Sequence, residues 1–281
     1  SFRNFLNIAH QITVLGIMAV GMTFVILIGG IDLSVGSVMA LAMMILGYMN
    51  VEAGMPMGIA ITGALVGAAL CGAISGLIIT EFKVPAFIAT LAMMSIARGL
   101  ANMITNGSQI IGFQSWFNMG AIIRQFGFLT MTVAVMLVVF ILAILFLRYR
   151  KEGRSLYAIG GNPEVARLAG VKVKLATVMV YLVCALLSGL AGVLLAARLD
   201  SVQPSSGVAY ELDAIAAVVI GGTSLSGGTG GVVGTLIGVL IIGVLRNGLN
   251  LLSVSPFLQA VVIGLVIVLA VAAETFKHRR S

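Results

Sequence analysis

The stretch RYRKEGRSLYAIGGNPEVARLAGVKVK, residues 148–174, carries seven of the chain's sixteen Lys and Arg residues and lies between two long apolar runs. Its setting is unusual, because 60% of the chain is hydrophobic and only 9% is charged, whereas about 25% of residues are charged in ordinary globular domains. In membrane proteins, Lys and Arg accumulate in cytoplasmic loops. This stretch, named the basic island below, therefore predicts a cytoplasmic loop that fixes the topology and offers a docking site.

The apolar remainder predicts an integral membrane protein with several spans. The mean hydropathy is +1.17, and several windows reach the roughly 20 apolar residues that cross a bilayer. One soluble core has no room for so many buried helices. The net charge of +7 does not indicate a nucleic-acid partner, because ten of the sixteen basic residues fall in the basic island and the C-terminal tail. That distribution is the one expected of cytoplasmic segments next to membrane lipid.

The fold class predicted is an all-α polytopic membrane protein, with a single transmembrane domain over residues 1–281. About nine transmembrane or re-entrant segments are predicted, at 6–28, 35–50, 57–80, 85–105, 129–147, 175–198, 209–221, 231–251 and 256–274. With the basic island inside, alternation places the C-terminal tail inside as well and Ser1 outside. An N-terminus outside predicts one more helix upstream, which gives ten in the full protein.

Two loops, at about 106–128 and 199–208, fall outside in this topology. The first is long and contains the only tryptophan, Trp116. Tryptophan is common at membrane boundaries for physical reasons alone. The loop is therefore interpreted either as an interfacial anchor or as a surface that contacts a partner.

An internal echo links the two halves of the chain. IGGIDLSVG at 28–36 matches IGGTSLSGG at 220–228 in the frame I-G-G-x-x-L-S-x-G. The echo predicts an internal repeat around 12–105 and 209–274, with its orientation open. Transporters are often built from two such repeats, with the pathway at their interface.

Both echoed stretches interrupt helices, because each glycine costs a helix roughly 1 kcal/mol, and broken helices mark transport sites. Polar groups at these breaks and near the outer segment ends are candidates for the translocation path. They are Asp32, Ser34, Asn106, Ser224, Ser226 and Asn247. Neutral polar groups suit a sugar better than an ion. For Asp32, capping of the following helix is an equally supported interpretation.

Three charges lie in or beside apolar segments, where a charge is costly and usually faces the bundle. They are Arg98, Glu211 and Asp213, all placed toward the outer side. Either a structural ion pair or a role along the substrate path fits them.

Inside the basic island, Asn162, Pro163 and Glu164 predict the start of a helix, because they supply a cap, a first-turn proline and a charge that suits the dipole. The helix would end at Gly170. So short a helix needs a partner surface, which is either another subunit or the protein's own bundle.

The chain lacks the GxxxxGK[ST] motif of ATP-binding loops, and it lacks clustered acids or histidines in its apolar segments. Cys71 and Cys184 are isolated and are predicted to be buried apolar residues. These features predict a transport subunit that is not an enzyme and holds no metal or cofactor. If ATP drives transport, another subunit supplies it.

Five motifs resemble the permease subunits of bacterial ribose-type ABC sugar importers. They are GMTFVILIGGIDLSVGSVMAL, FIATLAMMSIARG, TNGS with a following GF, YAIGGNPEVARLAGVKV, and YELDAIAAVVIGGTSLSGGTGGVVGTLIG. The resemblance implies a multi-pass protein of the bacterial inner membrane with a cytoplasmic C-terminus. It implies a fold similar to the permeases of vitamin B12 and iron-siderophore importers.

The resemblance also implies three partners: a second permease subunit, identical or paralogous, a periplasmic sugar-binding protein, and an ATPase with two nucleotide-binding cassettes. The family's ATPase-coupling loop maps onto Gly161, Asn162, Pro163, Glu164, Arg167, Leu168 and Gly170. Ribose is the first expected substrate. Members of the resembled family also transport xylose, galactose and autoinducer-2, which are the alternatives. The alternatives in function are a branched-chain amino-acid ABC permease and a stand-alone secondary transporter.

Overall fold

The computed structural model describes residues 2–122, 124–125, 129–255, 257–259, 261–266 and 268–269. The helices are α1 (Phe2–Gln11), α2 (Thr13–Leu27), α3 (Val35–Gly47) with a π-helical turn (Tyr48–Glu52), α4 (Met57–Glu81), α5 (Ala86–Thr105), α6 (Ser115–Ile122), α7 (Met131–Tyr149), α8 (Lys151–Gly161), α9 (Pro163–Leu168), α10 (Val173–Leu199), α11 (Tyr210–Ile220) and α12 (Val232–Leu251). Two-residue strands are β1 (Ile110–Ile111), β2 (Arg124–Gln125), β3 (Leu129–Thr130) and β4 (Ser201–Val202). Residues 257–259, 261–266 and 268–269 are also helical.

Within the described residues, six helical segments are long and apolar enough to cross a membrane. They are Val35–Glu52, Met57–Glu81, Ala86–Thr105, Met131–Tyr149, Val173–Leu199 and Val232–Leu251. The predicted class, an all-α polytopic membrane protein, is confirmed. The finer count of nine segments stays a prediction, because α2 and α11 have only 15 and 11 residues, and the segment 256–274 lies partly outside the described residues.

The centre of the bundle is formed by α2, α3 and α10. Every residue of α2 is buried, and α10 packs along α2, α3 and α4. Helices that are apolar all round belong inside a bundle. The surrounding helices α4, α7 and α12 leave large apolar side chains exposed, among them Leu70, Leu142 and Ile237, which suits contact with lipid tails.

Glycines at four-residue spacing let the helices approach closely. A Cβ added to Gly76 of α4 would lie 2.7 Å from the Cα of Val178 in α10. A Cβ added to Gly238 of α12 would overlap the carbonyl oxygen of Ala217 in α11. Small residues at such crossings provide the packing that holds helices together in lipid.

The connections between helices gather at two ends of the bundle. At one end, named the island end, Lys174 of the basic island pairs with Glu81 at 2.9 Å. At the other, named the opposite end, β1 pairs with β4 in antiparallel fashion, with Ile110 facing Val202. This pairing joins the loops 106–128 and 199–208, which alternation had placed on the same side.

The long loop 106–128 contains more structure than the sequence indicated. Its helix α6 lies against α10, and the side chain of Asn118 donates to the carbonyl oxygen of Ala197 at 3.0 Å. Trp116 remains 59% exposed. The indole is therefore accessible to lipid or to a partner protein.

The predicted segment 6–28 contains two helices, α1 and α2, which are separated at Ile12. The basic island also differs from an open loop, because its first half forms α8. Gly153, Leu156 and Ile159 of α8 are buried. Their three-residue spacing was a helical signal that the surrounding charges obscured.

Candidate functional site

The short helix α9 begins and ends where the sequence predicted. The Asn162 side chain accepts hydrogen bonds from the backbone N–H groups of Glu164 and Val165, both at 3.0 Å. Pro163 occupies the first turn, where its missing N–H costs nothing. After the helix, Gly170 takes a left-handed φ of +86°, the usual conformation just beyond a helix C-terminus.

The outer surface of α9 is apolar and open. Val165 is 60% exposed and Leu168 is 78% exposed, while Ala166 is buried. Glu164 and Arg167 form an exposed ion pair at 3.0 Å. A six-residue helix is not stable alone in water. At the island end, α9 thus offers an apolar ridge flanked by one charge of each sign.

Helix α8 lies between α9 and the bundle. Its Tyr157 hydroxyl donates to the carbonyl oxygen of Gly230 at 3.2 Å. Burial raises the pKa of the Tyr157 phenol above its ordinary value, so the group stays protonated and able to donate. This contact ties the basic island to the second glycine stretch.

The two echoed glycine stretches begin with the same helix cap. After α2, Gly29 has a φ of +77°, and the Gly30 amide donates to the carbonyl oxygen of Val25 at 2.9 Å. After α11, Gly222 has a φ of +85°, and the Thr223 amide donates to Val218 at 3.2 Å. Both are the glycine cap in which an amide reaches back to the last helical turn. The glycines here end helices, and the proposed duplication stays a prediction.

The polar residues predicted for the path at the island end are mostly buried. Asp32 and Ser34 are 1% and 2% exposed. The Asp32 carboxylate accepts bonds from the Ser34 amide at 2.8 Å and from the Ser34 hydroxyl at 2.6 Å. Ser224 is buried and accepts a bond from the amide of Ser226, which is itself exposed. The bonds between Asp32 and Ser34 form a local turn ahead of α3, and a role of Asp32 in the path stays a prediction.

Asn106 and Asn247 lie at the opposite end and do not join that group. Asn106 is exposed at the end of α5, in a left-handed conformation with φ of 51°. Asn247 is buried within α12. The six predicted path residues are therefore divided between the two ends of the bundle.

The predicted charges find partners that the sequence did not indicate. Arg98 donates to the backbone carbonyl oxygens of Pro204 and of Ser206, the latter at 2.8 Å. Among the ion pairs of the described residues, Asp213 pairs with Arg246, and none joins Arg98 to Glu211 or Asp213.

Arg246 was missed because it lies 33 residues from Asp213 on another helix. A cavity of about 50 Å³ adjoins the pair, and Gln11 and Tyr210 line it too. That volume is large enough to hold water.

A further polar surface lies on α5 and includes Asn106, which the sequence predicted for the path. Its residues Ser95, Gly99, Asn102 and Asn106 are all exposed and follow one another at four- and three-residue spacing. They are named the α5 stripe. Its opposite face, with Ala89, Thr90, Met93, Ala97 and Ala101, is buried. The stripe places polar groups where a lipid-facing helix would be apolar.

The family of the chain follows from comparison with known proteins. A family model described as "Branched-chain amino acid transport system / permease component" matches residues 4–271. The chain is 47% identical to the ribose import permease protein of Escherichia coli (strain K12), over 99% of this chain and 87% of that relative. It is 50% identical to the ribose import permease protein of Bacillus subtilis (strain 168), over 98% and 85%.

A more distant relative is the L-arabinose transport system permease protein of Escherichia coli (strain K12), 38% identical over 99% of this chain and 84% of the relative. A search of solved structures finds no match. The chain belongs to this family of transport permeases, and its resemblance to ribose-type importer permeases is confirmed.

Proposed function

We propose that the chain is the transmembrane subunit of an ATP-driven, binding-protein-dependent importer of a monosaccharide, with ribose as the first candidate. The observation that carries the proposal is α9, a capped helix that exposes Val165 and Leu168 at the basic end of a membrane bundle. An exposed apolar ridge on a helix too short to stand alone calls for a partner. The names of the relatives support the sugar over a branched-chain amino acid.

The partner proposed at the island end is the ATPase with its two nucleotide-binding cassettes. Lys and Arg mark the cytoplasmic side, so the island end faces the cytoplasm and the C-terminus lies there too. The coupling set is Gly161, Asn162, Pro163, Glu164, Arg167, Leu168 and Gly170. Within it, Leu168 supplies the most exposed apolar contact, and the Glu164–Arg167 pair flanks it.

The α5 stripe supports a second permease subunit, identical or paralogous. Polar groups in membrane helices face a protein interior or a water-filled cavity, whereas α5 packs mainly on α3 and α4 and leaves its stripe open. Apposing the stripes of two subunits gives a hydrated path lined by Ser95, Asn102 and Asn106, whose amides and hydroxyl can bond to sugar hydroxyls.

The sugar-binding protein is proposed to dock at the opposite end, on the paired loops 106–128 and 199–208. We propose a fold similar to vitamin B12 and iron-siderophore permeases, with nine transmembrane or re-entrant segments. The proposal also includes one permease domain over 1–281 with a coupling region at 148–174. The approximate repeat at 12–105 and 209–274 draws support from the shared helix caps.

Uptake by the reconstituted complex tests the function. Proteoliposomes that contain this permease, its ATPase and its binding protein are given labelled ribose or labelled leucine, with and without ATP. We expect ribose uptake that requires ATP. Uptake of leucine would instead support the amino-acid alternative, and ribose uptake by the permease alone, driven by a proton gradient, would support a secondary transporter.

A further inference from the structure

Three chain segments meet through glycine at the island end. They are the connection after α2 with Gly29, the connection after α11 with Gly227 and Gly228, and the end of α8 with Gly160. The Gly228 amide donates to the carbonyl oxygen of Leu27 at 2.9 Å. This meeting point is named the glycine junction.

The contacts at the glycine junction are made by backbone atoms. A Cβ on Gly160 would overlap both the carbonyl oxygen of Leu27 and the amide nitrogen of Gly228. A Cβ on Gly227 would lie 2.8 Å from the Gly29 nitrogen and 3.1 Å from the Gly160 Cα. Since Cβ atoms in proteins essentially never approach within 3.0 Å, any larger residue at position 160 forces α8 away from the other two segments.

Backbone contacts of this kind transmit displacement more directly than side-chain contacts, which absorb movement by changing rotamer. A second tie lies one turn earlier on α8, where Tyr157 donates to Gly230. On its other side, α8 ends at Gly161 and α9 begins at Pro163, so Asn162 alone separates the two helices. A displacement of α9 therefore reaches α8 first.

We propose that the glycine junction links α9 mechanically to the ends of α2 and α11, with Gly160 and Tyr157 as its positioning residues. This rests on the proposed function of α9 as the ATPase contact. Because α11 packs on α2 at the centre of the bundle, moving both ends together shifts the core against the outer helices. The glycine junction thus converts ATPase movement into opening of the path.

The ratio of ribose imported to ATP hydrolysed, in proteoliposomes with the full complex, tests the link. Gly160→Ala is expected to lower this ratio about tenfold, the scale of a typical coupling energy, while ATP hydrolysis continues. Tyr157→Phe, which removes one hydrogen bond and adds no atom, is expected to lower it by a smaller factor.

Two controls match the chemical change. Gly58→Ala makes the same substitution where nothing lies within 4 Å, and Ala158→Ser adds one atom to the exposed side of α8. Both should keep the wild-type ratio. A wild-type ratio in Gly160→Ala would overturn the proposal.

If Gly160→Ala fails to copurify with the ATPase, the ratio of ribose imported to ATP hydrolysed in Tyr157→Phe tests the link instead. A wild-type ratio in that variant would overturn the proposal. Lack of ribose uptake by the wild-type complex would contradict the proposed function itself, which keeps the two failures distinct.

Discussion

The Asn162 side chain holds the first turn of α9 through two hydrogen bonds to backbone N–H groups. A helix of six residues has few internal bonds of its own, so this cap is a large part of what keeps it formed. The cap lies at the surface, where Asn162 is exposed. The cap therefore stabilises the apolar ridge that α9 presents.

Replacing Asn162 by Ala is expected to destabilise α9 by about 1 kcal/mol. The affinity of the purified permease for its ATPase subunit should fall about fivefold, while the melting temperature of the permease in detergent should not change. The control for Asn162→Ala is Thr62→Ala, which removes an exposed hydrogen bond on α4. Equal affinities for the two variants would contradict a role for the cap.

Asp213 and Arg246 form a partly buried ion pair, with the Asp213 side chain 6% exposed and that of Arg246 39% exposed. Asp213→Asn leaves the guanidinium without its counter-charge, and the permease should lose about 2 kcal/mol of stability. Adding Arg246→Gln should restore part of that loss. Thermal unfolding in detergent measures the stability of the single and the double variant. A double variant no more stable than Asp213→Asn would contradict a stabilising ion pair between Asp213 and Arg246.

Single-residue predictions succeeded where the cause was local. The Asn162 cap and the Gly170 stop follow from backbone rules that act over four or five residues. The partners of Arg98 and Asp213 could not be predicted, because they depend on which helices meet. For Asp32 the sequence left two interpretations, a helix cap and a place in the path; the structure adds a local turn with Ser34, and the path role stays a prediction.

At the scale of elements, α5 has two faces of different character. Its buried face packs on α3, while Ser95 and Asn102 lie on an exposed face. Ile96 and Leu100 flank that face and are also exposed. In the assembled complex, the polar centre should meet water and the apolar flank should meet lipid or protein.

Thiol labelling tests this division within the assembled complex. Ser95→Cys and Asn102→Cys should react with a water-soluble maleimide, whereas Ile96→Cys and Leu100→Cys should react at least about tenfold more slowly, as expected of groups shielded from water. The native Cys71 and Cys184 are buried, so the background is low. Equal labelling at all four positions would contradict a hydrated α5 stripe.

The long helices were predictable from apolar runs, and their bounds differ from those predicted by a few residues. The exceptions have physical causes. In α8, Arg154 and its charged neighbours obscured the buried Leu156 and Ile159. The pairing of β1 with β4 spans two residues in each strand, too few for any periodic pattern. Within the α5 stripe, Asn106 was predicted for the path, but Ser95 and Gly99 were not, because isolated polar residues do not alter a hydropathy average.

For the whole molecule, the two ends of the bundle define a direction across the membrane. The island end gathers α8, α9 and the glycine connections, and the opposite end gathers the β1–β4 pair. Ser108 is exposed at the opposite end and Glu152 is exposed at the island end. The positive-inside rule predicts that the island end faces the cytoplasm.

Labelling in intact cells tests this direction. A membrane-impermeant maleimide should label Ser108→Cys and leave Glu152→Cys unlabelled, and inside-out vesicles should reverse the result. Labelling of Glu152→Cys in intact cells would invert the topology and remove the proposed ATPase contact.

Ribose-stimulated ATP hydrolysis by the full complex, with Glu164→Ala/Arg167→Ala in the permease, tests directly whether α9 is the ATPase contact. The control is Glu81→Ala/Lys174→Ala, an exposed pair at the same end with the same charge change. Exposed pairs add roughly 1 kcal/mol or less to stability, so neither variant should unfold. We expect about a tenfold loss of stimulation for the α9 pair alone. Unchanged stimulation and assembly would contradict that contact, leaving the basic island as a topological signal only.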